Sequence, residues 1–216
     1  TWAKSGCEVT YVIITKGDKG SDDPAMTPER LADIREAEQR AAGAILGVRN
    51  YEFMGYPDAY LQHTLDLRRD VTRLIRKHRP EVVMTFDPTS RFLGDFYPNH
   101  PDHRVAGDVA VDAVFPTARD RLTFPELLLD GYEPHKVAQI WMGGTNSANH
   151  WVDISDVLAL KQQALGAHPS QLGPDVADFA VQMARWGAEG QSFEFGEAFR
   201  RIILDMPPGP STPPAK

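Results

Sequence analysis

Short runs of apolar, β-branched residues recur along this chain at Glu8 to Thr15 (EVTYVIIT), Glu81 to Phe86 (EVVMTF) and Val137 to Met142 (VAQIWM), and the stretches between them carry helical periodicity. A strand that is apolar on both faces must be covered on both, and parallel pairing with crossover helices gives that cover. The alternation therefore predicts an α/β fold, a Rossmann-like and mostly parallel sheet with helices on both faces.

Punctuation residues place the elements. Thr27 and Pro28 read as the N-cap and first residue of a helix that runs to Leu46 and stops at Gly47, and Leu65 to His78 reads as an amphipathic helix ended by Pro80. Asp102 to Val114, Asp156 to Leu165 and Val176 to Ala188 are helical by period, while Val48 to Phe53 and Trp151 to Ile154 are short strands. Residues 115 to 136 show no clean period. At the start, TWAKS followed by Gly6 looks like the last turn of a helix with a left-handed glycine end. An α/β unit of that kind needs a strand before its helix, so the expectation is that the first strand of the sheet is missing from the sequence. One domain over 1–205 is expected, with the Pro-rich MPPGPSTPPAK as a disordered tail, 206–216.

Charge excludes one class of partner. A formal net charge of -7 does not suit a protein that displaces counterions from nucleic acid. The basic residues Arg68, Arg69, Arg73, Arg76, Lys77 and Arg79 follow a helix and read as its solvated face. No stretch approaches the roughly 20 apolar residues of a membrane span, and the lone Cys7 makes no internal disulfide, which points to a cytoplasmic protein.

The chemistry is concentrated at Asn99-His100-Pro101-Asp102-His103, where two imidazoles and a carboxylate sit between a strand-exit loop and a helix start. The i,i+3 spacing can turn both rings toward one pocket, one to bind metal and the other to meet substrate, and Asp102 could accept an imidazole N–H. The competing reading is helix capping alone. A hydrolytic zinc takes three protein ligands and an open position, and nothing else in the chain completes such a set. The only glycine-rich loop, GDKG, lacks the pattern of a phosphate cradle, which ranks a nucleotide-transferring enzyme last.

HPDH after a strand ending TFDP resembles the second signature of the LmbE/PIG-L family of zinc-dependent N-deacetylases. VTYVIITKGDKG, IREAEQRAAGAILGV, MGYPDAYL and WVDISDVLALKQQALGAHPSQ resemble other blocks of that family in the same order. The resemblance implies hydrolysis of the N-acetyl group of an amino sugar or its conjugate, with a Zn2+-bound water as nucleophile. It implies His103 as a metal ligand, His100 as the imidazole that stabilises the oxyanion, and Asp102 as the group that tunes it. Arg35 and Asp58 match positions near the pocket mouth and suit sugar hydroxyls or a phosphate, though each is equally suited to a structural ion pair. His168, Ser170 and Gln171 match as well, and read more easily as backbone hydrogen bonding. The family's first motif, Pro-His-Pro-Asp-Asp-Glu, supplies its other two zinc ligands and its base. This sequence has no copy of it, so the expectation is a fragment that binds zinc poorly and is inactive, or else a sugar-binding relative without catalysis. The loops 87 to 99 and 115 to 136 are expected to select the substrate.

Overall fold

The computed structural model describes residues 1–95 and 97–204, and the expected tail at 206–216 lies outside them. The described residues gather into two compact units, one of residues 1–61 and 150–198, the other of 62–149 and 199–204.

In the first unit β1 (Thr10–Thr15) and β2 (Asn50–Tyr56) pair in parallel, from Thr10 opposite Asn50 to Ile13 opposite Phe53, and α1 (Pro28–Leu46) makes the crossover. The helix begins where its sequence says it should: Thr27 Oγ1 accepts the Arg30 N–H at 3.2 Å and Pro28 fills the first turn. Gly47 ends it in the left-handed region, at φ 82°. Gly43 is dictated by packing, because a Cβ there would lie 2.1 Å from the Tyr51 hydroxyl. α1 packs on α5 (Leu158–Gly166), which packs on α6 (Val176–Gly187). The buried Glu38 of α1 accepts hydrogen bonds from the Ser170 backbone N–H at 2.8 Å and from its hydroxyl at 2.6 Å. Ser170 therefore has the structural role its sequence context favours, but its partner is a carboxylate and not the backbone. The unit also holds β7 (His150–Asp153) and the first residues of β8 (Gly196–Ile203).

In the second unit β3 (Val82–Phe86) pairs in parallel with β6 (Gln139–Gly143), and β6 pairs antiparallel with β8, Gln139 lying opposite Ile203. The long strand β8 is not announced by its sequence. Its Gly196-Glu-Ala-Phe-Arg-Arg-Ile-Ile run lacks a clean alternation, and its ladder is set by the distant β6. α2 (Leu65–His78) packs on α3 (Pro101–Val114), and α3 on β3. Leu67, Val71, Leu74 and Ile75 of α2 and Val109, Ala113 and Val114 of α3 are buried, one stripe on each helix.

One expectation fails here. Arg76 does not belong to a solvated face: it is 2 % exposed. Its guanidinium donates to the carbonyls of Ala118 (3.2 Å), Thr117 (2.9 Å), Asp120 (2.7 Å) and Thr123 (3.0 Å). The irregular segment after α3 turns its carbonyls inward, and a planar fork of donors from α2 satisfies them. Burial lowers the Arg76 pKa, and the charges of Asp120, Glu126 and Glu133 work against that. The expected irregular stretch also holds a short helix, α4 (Glu126–Leu129).

Candidate active site

The site of the second unit is built where α3 meets the carboxyl end of β3, the usual ligand position in an α/β sheet. Gly107 makes the approach possible, since a Cβ there would sit 2.5 Å from the Phe86 carbonyl oxygen. His103 lies four residues earlier and so shares that face of the helix. Its ring stacks on Phe86 with centroids 4.0 Å apart and planes 5° from parallel. His100 is the N-cap residue of α3, and its Nδ1 accepts the Asp102 backbone N–H at 3.2 Å. The two imidazoles are 5.4 Å apart, inclined at 51°. The capping and the functional readings of this segment are therefore compatible, because one nitrogen of His100 caps and the ring as a whole stays beside His103. Asp102 is buried, and this contact to His100 runs from its backbone N–H.

The loop that delivers these residues is tied down at both ends. The Asn99 backbone N–H donates to the Arg91 carbonyl at 2.9 Å and its side chain to the Ser90 carbonyl at 2.9 Å. Arg104 in turn donates to the Asn99 carbonyl. At the other end Asp87, 0 % exposed, accepts from the Thr89 N–H at 2.9 Å, the Thr89 hydroxyl at 2.6 Å and the Thr145 hydroxyl at 2.6 Å. Arg200 of β8 stands 3.8 Å from the same carboxylate. Burial opposes ionisation of Asp87, but the bonds from Thr145 and Thr89 and the Arg200 charge outweigh it and hold its pKa below the usual carboxylate range. Sequence reasoning does not single out Asp87, although an acid at the exit of an apolar strand is a visible signal. Thr145 and Arg200 carry no such signal, since they reach Asp87 only through the pairing of β6 with its neighbours.

Arg35 and Asp58 lie in the other unit and meet each other at 3.7 Å. Arg35 donates to the carbonyls of Gly17 and Lys19 at 2.6 Å each, and to that of Gly20 at 3.3 Å. Asp58 receives its place from Asp18, whose carboxylate accepts the Asp58 backbone N–H at 2.9 Å. The pair thus clamps the loop that leaves β1.

The residues present do not by themselves fit zinc. Among the described residues no group of three or more His, Cys, Asp or Glu side chains could hold a metal ion, and two imidazoles fall short of the three protein ligands a hydrolytic zinc uses. Nor is any helix of the described residues long and apolar enough to cross a membrane.

Comparison with known proteins bears on this geometry. The PIG-L family, described as GlcNAc-PI de-N-acetylase, matches residues 1–114, a span that ends with α3. The chain is similar to diacetylchitobiose deacetylase of Thermococcus kodakarensis, 33% identical over 172 residues that make up 80% of this chain and 62% of the relative. It therefore spans less than two thirds of that relative's length. N,N'-diacetylchitobiose deacetylase from Pyrococcus horikoshii, solved with its inhibitor MPG, matches with a TM-score of 0.85 and 30% identity over 93% of this chain and 75% of that one. The 4-carboxy-2-hydroxymuconate hydratase of Pseudomonas putida KT2440, with a TM-score of 0.75 and 18% identity over 97% of this chain and 90% of that one, shares the fold alone. Two chemistries on one fold mean that the residues of the site, and not the fold, must carry the functional argument.

Proposed function

The chain belongs to the PIG-L family, and from that premise we propose that the protein removes the acetyl group from an N-acetylated amino sugar or its conjugate by hydrolysing the amide. The observation that carries the reading is the way the ring of His100 is held. An Nδ1 that accepts the Asp102 N–H carries no proton of its own, which leaves Nε2 as the nitrogen of the ring that can donate. Negative charge gathers on the acetyl oxygen as the amide carbonyl becomes tetrahedral, and a donor held in place beforehand stabilises that charge without reorganising. The cap fixes the ring of His100, and Pro101 fixes the backbone that follows it.

His103 is proposed as one ligand of a zinc ion. A single imidazole does not hold zinc, so the proposal places the other ligands outside the described residues. The short donor set also favours a second reading, a sugar-binding relative without hydrolysis. Arg35 and Asp58 are proposed to hold the loop at the substrate-binding side of their unit, with the clamp as their first task.

One assay separates these readings. Acetate release from N-acetylglucosamine and N,N'-diacetylchitobiose is measured with protein expressed from the complete reading frame, beside its His100→Gln variant. The expected result is turnover that His100→Gln lowers by roughly 10²–10³ in kcat, the usual cost of one oxyanion donor. Sugar binding with no acetate release would leave the binding module, and an unaffected His100→Gln would remove His100 from the chemistry.

A further inference from the structure

Resting on the deacetylase reading, we propose that Asn99 is the positioning residue of His100: it fixes the peptide that joins the preceding loop to the histidine, and so sets where the Nε2 donor stands. A ring on an N-cap residue goes where its backbone goes. On the downstream side that backbone is already restricted, because Pro101 has a fixed φ and confines the residue before it to extended conformations, and His100 lies at φ -54°, ψ 137°. The remaining soft joint is the Asn99–His100 peptide.

Three polar groups of Asn99 hold that joint. β4 (Phe92–Leu93) and β5 (Tyr97–Pro98) pair antiparallel as a hairpin, with Leu93 opposite Tyr97 and Phe92 opposite Pro98. The Asn99 N–H donates to the Arg91 carbonyl at 2.9 Å and carries the hairpin one step further toward His100. Its side-chain amide reaches back nine residues and donates to the Ser90 carbonyl at 2.9 Å. Its own carbonyl, the oxygen of the joint, accepts from the Arg104 guanidinium. Arg104 stands one turn along α3, where its backbone N–H bonds the His100 carbonyl at 3.3 Å. Asn99 therefore ties the joint to the loop, and Arg104 ties it to the helix. Ser90 is anchored in its turn: its N–H donates to the Asp87 carbonyl at 3.3 Å, and its hydroxyl accepts the Asn146 N–H at 3.3 Å.

Burial makes the anchor exacting. Asn99 is 4 % exposed and Ser90 5 %, so water does not replace a side-chain bond that is lost. The bond also needs an amide: Asp has the same shape but brings an acceptor against the Ser90 carbonyl, which only accepts. A donor to a developing oxyanion is effective because it is placed beforehand, and a misplacement of about 1 Å costs up to ~10²-fold in rate. That loss falls on the transition state, where the charge develops, and not on substrate binding.

Three variants test the assignment. Asn99→Ala removes the anchor, and Asn99→Asp keeps its shape without its donor. Asn146→Ala removes a different bond of the same hairpin, the one its side chain makes to the Phe92 carbonyl at 2.7 Å, and so controls for a loosened loop. The first readout needs no turnover: the side-chain 15N and ring 1H resonances of His100 in this chain, with thermal melts to verify that each variant folds. Both Asn99 variants are expected to move the His100 resonances, and Asn146→Ala to leave them in place. In protein from the complete reading frame, with N,N'-diacetylchitobiose as the probe, the Asn99 variants are expected to lower kcat by roughly 10–10²-fold with KM within about twofold of wild type, while Asn146→Ala keeps the wild-type kcat. His100 resonances that stay in place in the folded Asn99 variants, or that move equally in Asn146→Ala, overturn the proposal, as does a raised KM at unchanged kcat. A wild-type protein that releases no acetate overturns the deacetylase reading instead, and the resonances of His100 still decide whether Asn99 places it.

Discussion

Replacing Asp87 is the most direct test of how the second unit holds its site. Its carboxylate accepts three hydrogen bonds at 2.6–2.9 Å and is 0 % exposed, so water does not take over when the acceptor is removed. A bond to a charged acceptor contributes about 1.5–3 kcal/mol, and the three share one group and one loop, so their costs do not add in full. Release of the penalty for burying the carboxylate offsets part of the loss. Asp87→Ala is therefore expected to cost about 4 kcal/mol, which lowers Tm by roughly 8–16 °C in a chain of this size. Asp87→Asn keeps one acceptor oxygen, and the Thr145 hydroxyl can rotate to accept from the new amide, so its cost is about half as large. The pH dependence distinguishes charge from shape. A carboxyl whose folded pKa is depressed stabilises the fold fully above the unfolded value near ~3.9, and that stability is lost as pH falls through the lower folded pKa. Urea unfolding of wild type and Asp87→Asn from pH 7 to 3 should give a stability difference that is constant above pH ~5 and shrinks below ~4. The other carboxyls cancel in that difference. A cost under 1 kcal/mol for Asp87→Ala, or a difference that widens in acid, would refute the reasoning.

Two further substitutions probe the scaffold. Arg76→Met leaves the Ala118 and Thr117 carbonyls without their buried donor and should cost about 3 kcal/mol, and Arg76→Lys should cost nearly as much because an ammonium cannot reach four carbonyls as a fork does; calorimetric melts that place Lys level with wild type would contradict this. Gly107→Ala puts a methyl 2.5 Å from the Phe86 carbonyl oxygen and must push α3 away from β3, so a loss of about 2 kcal/mol and a changed environment at His103, read by NMR, are expected, and an unperturbed His103 would show the contact to be slack.

The elements with strong local signals are legible in the amino-acid sequence alone. Thr27-Pro28 and Gly47 bound α1, and EVVMTF and VAQIWM supply β3 and β6, because capping chemistry and β-branched, apolar runs act over a few residues, although only β6 is buried as such a run implies and β3 leaves Met84 and Phe86 exposed. The HPDH segment can also be read as a site, since an imidazole pair at a helix start is visible as spacing. What sequence does not supply is the partner of each group. Arg76 looks like one more charge on a solvated helix, and only the return of residues 117–123 across α2 buries it. Asp87 acquires its role from Thr145, 58 residues away, and from Arg200, which is brought to it by the β6–β8 ladder. Local sequence decides which backbone conformation is cheap. Which polar groups lose water, and which groups replace it, depends on contacts between distant segments that exist only once the tertiary structure has formed.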